Sequence, residues 1–259
     1  MPATQSTDIG IIVYAPALQS HDDRPVAVVH AMERALPGLH LGWVISQEGQ
    51  RIPLPDRDAF VAREILDGGF PLLRNGDDNF RVTVTGWELL ASSAPRGAAQ
   101  LEVHAKLPLN ADGIAAAADV LEAVAEASHA FWGHATPASA QWDIARQTKG
   151  AAHDLEPPPR GLPTLKPPWN IPSPEIPHRL GWLNYWSAAA ARAIGFPDPA
   201  RDAGLLSRSR RTATGGWLVR LTDTPLDLDI PSHLDALMRA YERFPVIGGR
   251  LPRAEAAGS

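Results

Sequence analysis

The sequence predicts an α+β protein with a mixed or largely antiparallel sheet that is covered by helices. Short β-branched apolar runs bounded by turn residues are typical of strands, and two further runs alternate apolar and polar residues. Other segments repeat apolar residues at helical spacing. With 259 residues and 44% hydrophobic composition, the chain can bury a large core.

The first half is interpreted as β-α-β-α-β-β-α. Ile9 to Tyr14 form a β-branched run closed by Pro16, and Pro25 suits the first turn of the next helix. Gly68 and Gly69 are predicted to end the second helix. The predicted elements are strands at 9–14, 41–45, 80–85 and 100–107, and helices at 25–36, 58–67 and 112–130.

A proline-rich segment follows at 157–177, where nine residues are proline. Proline excludes an interior helix or a central strand, so an extended connector is predicted. It is either a hinge or an ordered strap, and Trp169 with Ile171 favours the strap. The chain then divides into an α+β half at 1–156, the connector, and an α+β half at 178–259, two similar halves that are expected to pack as one globular unit.

The last third is predicted to hold strands at 179–183 and 216–221 and helices at 185–194 and 232–244. Four tryptophans near predicted strand or helix ends are expected to fill gaps between sheet and helices. They are Trp43, Trp87, Trp132 and Trp217.

Composition narrows the classes of function. The net charge of -5 disfavours direct nucleic-acid binding and suits a basic partner. Cysteine is absent, which removes disulfides and thiolate chemistry. The first residues lack the charged and apolar regions of a signal peptide, so no membrane association and a cytoplasmic location are expected.

Motifs for catalysis are missing. The chain contains no G-x-S-x-G elbow and no phosphate-binding G-x-x-x-x-G-K-[ST] loop. His129 and His134 are five residues apart, so they do not share a helix face as a zinc pair would. No catalytic residue, metal site or cofactor is predicted.

Two groups of residues are candidates for partner binding. Asp223, Asp227 and Asp229 could form an acidic surface, although they also suit turns and helix caps. A second group, Trp182, Tyr185 and Trp186, would mark a recognition surface if exposed and core packing if buried.

The aromatic and glycine pattern of the chain resembles two families. The C-terminal third, with Gly215-Gly216-Trp217-Leu218-Val219 and Pro225-Leu226-Asp227-Leu228, is similar to an uncharacterised myxobacterial-type domain family. More distantly, most of the chain resembles the immunity protein 52 family of bacterial polymorphic toxin systems. That resemblance is carried by Leu41-Gly42-Trp43, Phe131-Trp132 and the segment from Gly181 to Tyr185.

The second resemblance implies an immunity protein that binds a cognate toxin, commonly one with a restriction-endonuclease-like nuclease domain, and occludes its active site. Two alternatives stay open at this point. One is an enzyme with a dispersed site built from His233, Asp227 and Asp229. The other is a scaffolding subunit that self-associates through Trp182, Tyr185 and Trp186.

Overall fold

A computed structural model describes residues 7–46, 48–66, 69–148 and 156–250. The strands are β1 (Asp8–Pro16), β2 (Trp43–Ile45), β3 (Arg51–Pro53), β4 (Gly69–Arg74), β5 (Thr83–Leu89), β6 (Gln100–Pro108), β7 (Trp132–Pro137), β8 (Leu183–Trp186), β9 (Ser209–Arg211) and β10 (Trp217–Arg220). The helices are α1 (Arg24–Ala35), α2 (Arg57–Leu66), α3 (Ala111–Ala127), α4 (Ala138–Ala145), α5 (Ala188–Ile194), α6 (Ala203–Leu206) and α7 (Pro231–Arg243).

The ten strands form one sheet in the order β3-β2-β4-β5-β6-β1-β7-β8-β10-β9, with antiparallel neighbours. Strands from both sides of the proline-rich segment belong to it, since β7 pairs with β8. The predicted α+β class with a largely antiparallel sheet is therefore confirmed.

The sheet has two differently covered faces because successive side chains on a strand point to opposite sides. On the first, the α3 face, helix α3 lies against β1, β6, β7 and β8, and α1 packs on α3. On the second, the α4 face, the Gln141 side chain of α4 lies over Gly10 of β1. A Cβ at position 10 would come within 2.6 Å of Gln141 Oε1, so glycine leaves room for this side chain in the position it occupies.

Most predicted elements of the first half are present, with shifted ends. The strand predicted at 80–85 lies at Thr83–Leu89, and the predicted end of the second helix at Gly68 lies outside the described residues. Helix α3 begins at Ala111 because the Asn110 side chain accepts a hydrogen bond from the Gly113 amide. Sequence reasoning missed β3, β4, β7, β9, α4 and α6.

The predictions at 179–194 were wrong in their boundaries. The strand starts only at Leu183, and the helix starts at Ala188 rather than at residue 185. The Ser187 side chain accepts a hydrogen bond from the Ala190 amide, and this cap fixes the start of α5. Tyr185 and Trp186 are consequently strand residues.

The proline-rich segment lies against the body of the protein over its described residues. Leu162, Leu165 and Ile171 are buried, whereas Trp169 is about half exposed. The Lys166 amide donates a hydrogen bond to the Gly248 carbonyl, and the Leu165 amide donates to the Gln147 carbonyl. These contacts hold the segment as an ordered strap.

In the part of the chain that the structure describes, each helix is too short or too polar to cross a lipid bilayer.

Candidate functional site

An open pocket of about 430 Å³ lies between β1, β6 and α4 on the α4 face. Its volume falls in the range of about 300–1,000 Å³ that is usual for sites that receive a ligand or an anchoring side chain. Polar groups and an aromatic ring converge on it from three elements. It is lined by Asp8, Gly10, His104, Lys106, Ala138, Gln141, Trp142 and Ala145.

A hydrogen-bonded pair of side chains stands at this pocket. His104 Nε2 lies 2.6 Å from Glu102 Oε1, which leaves Nδ1 as the other polar atom of the ring. The Trp87 ring packs on the same imidazole with centroids 4.2 Å apart. His104 is therefore held in one orientation from two sides, by a carboxylate and by an aromatic ring.

Next to this pair, the α4 face of the sheet carries further polar side chains that are buried, namely Tyr14, Trp132 and His134. Burial and the neighbouring Glu102 carboxylate raise the pKa of the Tyr14 hydroxyl. Burial and then the positive charge of Arg179 lower the pKa of His134 to about 3, so this imidazole is neutral at pH 7. Within the described residues, His134 Nε2 and Trp132 Nε1 have no hydrogen-bond partner. Burying a polar atom without a hydrogen-bond partner costs stability.

The most exposed large apolar side chain beside the pocket is Trp142, which is 74% exposed. Ala140 and Ile144 are buried on the inner side of α4. Trp142 lies between them in sequence and therefore projects from the outer side of the helix. The next residue, Asp143, accepts a hydrogen bond from Arg160 of the strap at 2.5 Å. Arg160 also pairs with Asp229 at 2.7 Å.

Arg160 thus joins α4, at the residue next to the exposed tryptophan, to the acidic loop that the sequence singled out. We call the set of Trp142, Asp143, Arg160, Asp227 and Asp229 the Trp142 surface. Asp227 belongs to it because its carboxylate accepts a hydrogen bond from the Asp229 amide at 2.9 Å. It combines an aromatic anchor with three carboxylates and one guanidinium.

The structure places the predicted acidic residues on the surface. The side chains of Asp223 and Asp229 are 83% and 80% exposed, and Asp227 is exposed as well. Asp223 lies 3.8 Å from Arg208. Asp227 and Asp229 therefore lie together, and Asp223 faces a different arginine.

The predicted aromatic binding residues lie elsewhere, and this corrects the expectation that they form a partner-binding surface. Trp182, Tyr185 and Trp186 are each at most 2% exposed. The indole of Trp182 donates to the Thr222 carbonyl, and the Tyr185 hydroxyl donates to Glu126 of α3. A partner, including a second copy of this chain, could reach them only by opening the core.

The residues of the dispersed-enzyme alternative are close together but lie on an exposed loop. His233 Nδ1 accepts a hydrogen bond from the Asp227 amide at 3.1 Å, and Thr224 Oγ1 lies 3.4 Å from Nε2. This arrangement ties the loop to the first turn of α7. A structural role explains these contacts without a reaction.

Sequence reasoning missed four residues of the pocket region, namely Glu102, His104, Lys106 and Trp142. The first three alternate along β6, which was recognised as a strand with one polar face. Trp142 belongs to a helix that was not predicted at all. Across the described ranges, His, Asp and Glu side chains do not gather into a group of three that could hold a metal ion.

In the described residues, an antiparallel sheet of ten strands with helices on both faces defines an α+β protein. The chain belongs to the family described as Domain of unknown function (DUF5953), which matches residues 20–252. No curated protein matches it. Among solved structures, it is similar to a Pseudomonas aeruginosa T6SS protein, with 16% sequence identity and a TM-score of 0.48. That likeness covers 91% of this chain and 72% of the other.

Proposed function

We propose that this protein is an immunity protein that binds a cognate bacterial toxin in the cytoplasm and neutralises it by occluding its active site. The proposal takes its direction from the resemblance to the immunity protein 52 family. The observation that carries it is the Trp142 surface, which places an exposed tryptophan beside an open pocket and next to carboxylates.

An exposed tryptophan of this kind supports protein binding. Tryptophan is enriched among the residues that dominate interface energies, and such residues dock best into or beside well-formed pockets. Trp142 lines the pocket and projects from a short helix whose inner side is fixed in the core. A partner side chain entering the pocket would pack on this ring and lie near His104 and Lys106.

Charge supports a basic partner. The chain has a net charge of -5, and two carboxylates of the Trp142 surface, Asp227 and Asp229, are exposed. A nuclease must hold phosphate in a positive cleft, so an acidic inhibitor would be steered toward that cleft. Arg160 offsets part of the negative charge, and its ion pairs with Asp143 and Asp229 hold the loop next to α4. We therefore expect the partner to be a toxin with a basic active-site cleft, a nuclease being the best-matched class.

The test is co-expression of this protein with each neighbouring open reading frame, scored by growth rescue and by co-purification of the rescued partner. Trp142→Ala is expected to lose protection, and Ile52→Ala is the matched control. Ile52 is 46% exposed and lies on β3, at the edge of the sheet five strands away from β1. Rescue by both variants, or the absence of any toxic neighbour, would overturn the proposal.

A second candidate function is favoured by the His104–Glu102 pair, because a histidine held by a carboxylate in a pocket can transfer protons. An enzyme of this kind would neutralise its target chemically. His104→Gln separates the two functions. Full protection by this variant means inhibition by binding, whereas lost protection with the complex intact means chemistry at His104.

A further inference from the structure

A second, smaller pocket of about 140 Å³ lies on the α3 face, at the other end of the sheet from β3. We call it the arginine pocket because three arginines surround it. It is lined by Ala118, Leu183, Arg208, Ser209, Arg210, Leu218 and Arg220. Besides the arginines, the lining consists of three apolar residues and Ser209.

Strand pairing brings the arginines together. Arg210 of β9 lies opposite Leu218 of β10, and Ser209 lies opposite Val219. Arg208 is the residue before β9 and lines the same pocket as Arg220, the last residue of β10. Like charges that share a small pocket repel one another, so a compensating charge would stabilise this placement.

Only part of that compensation comes from the chain. Arg210 is neutralised by two carboxylates of α3, Asp119 at 2.5 Å and Glu122 at 2.6 Å. The nearest carboxylate to Arg208 is Asp223, at 3.8 Å and largely exposed, so it is a weak partner.

Arg220 is the more unusual of the two remaining arginines. Among the described residues it makes no ion pair, and its guanidinium lies 5.9 Å from the centre of the Trp182 ring. Arg220 is half-buried and is the last residue of β10, after which the chain leaves the sheet. In a chain of net charge -5, two arginines that share a pocket without a close carboxylate point to an anion from outside the chain.

We propose that the arginine pocket binds a small oxyanion, with Arg208 and Arg220 as its ligands. Guanidinium groups bind phosphate and carboxylate through paired N–H donors, which suits a pocket lined by two arginines without a close ion-pair partner. The pocket is smaller than the roughly 300–1,000 Å³ of sites that enclose organic molecules, so it receives an ion or a terminal group. Two guanidinium groups present more N–H donors than the two oxygens of one carboxylate can accept. A phosphate ion has more oxygens, arranged tetrahedrally, and therefore matches two guanidinium groups better.

The site is separate from the Trp142 surface, so it does not depend on the proposed function. Arg208, Arg220 and Leu218 lie on the α3 side of the sheet, and Trp142 lies on the α4 side. An oxyanion bound here would draw Arg208 away from Asp223 and would hold β9 against β10. Binding should therefore stabilise this edge of the sheet.

The test is a titration with inorganic phosphate at constant ionic strength, followed by the amide NMR signals of Ser209 and Leu218, with chloride as the salt control. We expect saturable shifts with phosphate, weaker ones with acetate, and none with chloride. Arg220→Gln and Arg208→Gln should each weaken phosphate binding about tenfold, the loss expected for hydrogen bonds to a charged group. Arg192→Gln is the matched control, because Arg192 is an exposed arginine of α5 that does not line the pocket.

The outcomes are distinct. Linear, non-saturating shifts, or equal binding by the wild type and both glutamine variants, would overturn the proposal. Melting temperatures of the variants show whether they fold, and Arg220→Lys, which keeps the charge but loses the fork, should bind with intermediate strength. A phosphomonoester that binds more tightly than inorganic phosphate would identify the source as the phosphate group of a larger molecule. Equal affinity would identify the free ion.

Discussion

Trp186 and Trp142 are the same residue type in opposite situations. Trp186 is completely buried, with edge-on contacts to Phe196 and Phe244 at centroid distances of 5.1 and 5.3 Å. Trp142 stands on α4 and is mostly exposed beside the pocket. In this chain the dense aromatic segment around Trp186 forms core, whereas the exposed tryptophan beside the pocket is an isolated one.

The largest effect is expected from removing the buried ring. Trp186→Ala should lower the free energy of unfolding by about 3–5 kcal/mol, because it leaves a cavity among Phe196 and Phe244. Urea unfolding followed by circular dichroism measures it. A change below about 1 kcal/mol would contradict the placement of Trp186 in the core.

Two buried histidines should make the stability of the protein depend on pH. His134 and His178 are buried, and burial lowers the pKa of each to about 3, below the value of about 6.5 expected in the unfolded chain. Since the unfolded chain binds more protons between these values, the free energy of unfolding should fall as the pH falls from about 6.5 to 3. Each histidine contributes up to about 1.4 kcal/mol per pH unit.

Denaturant titrations at several pH values check this, and His134→Gln should show a shallower slope than the wild type. A stability that stays constant from pH 6.5 to pH 4 would contradict the burial of these imidazoles.

The third prediction concerns the exposed ring. Trp142→Ala should change the free energy of unfolding by no more than about 0.5 kcal/mol, because little of the side chain is buried. It should weaken toxin binding by about 2 kcal/mol, or roughly thirtyfold. Calorimetric titration with the toxin measures the second quantity, and Ile52→Ala should leave it unchanged. If Trp142→Ala lowered the free energy of unfolding by several kcal/mol but left toxin affinity unchanged, Trp142 would be a core residue and not a binding residue.

The smallest expected effect is a change in the rate of association with the toxin, caused by surface charge. Replacing both Asp227 and Asp229 with Asn changes the net charge from -5 to -3, and should slow association about threefold at low salt. The difference should vanish at high salt, where exposed charges are screened. Glu48→Gln with Glu64→Gln makes the same change in charge far from the Trp142 surface and serves as the control. Stopped-flow rates that are equal for both pairs would mean that only overall charge matters.

Much of the fold could be predicted from the sequence, because β1, α1, β6 and α3 carry strong periodic patterns. The central strand β7 was missed. Its sequence, Trp132 to Pro137, contains glycine, histidine and proline instead of β-branched residues, and burial on both faces of the sheet overrides that weak propensity.

The candidate site was harder to predict than the fold. The exposed acids were visible as a run, but their link to α4 through Arg160 joins positions 143, 160 and 229 and depends on tertiary structure. One local signal was present. Ala140 and Ile144 are spaced by four, which predicts an inner helix side and leaves Trp142 outside.

The proposal that the Trp142 surface binds the toxin is tested most directly by hydrogen exchange, measured segment by segment with and without the toxin. If the Trp142 surface is the interface, exchange should slow in α4, residues 138–145, and in the loop at 222–230, while β3 and β9 are unaffected. Slowed exchange confined to other segments, with α4 unchanged, would contradict the assignment of Trp142 as the anchor of toxin binding.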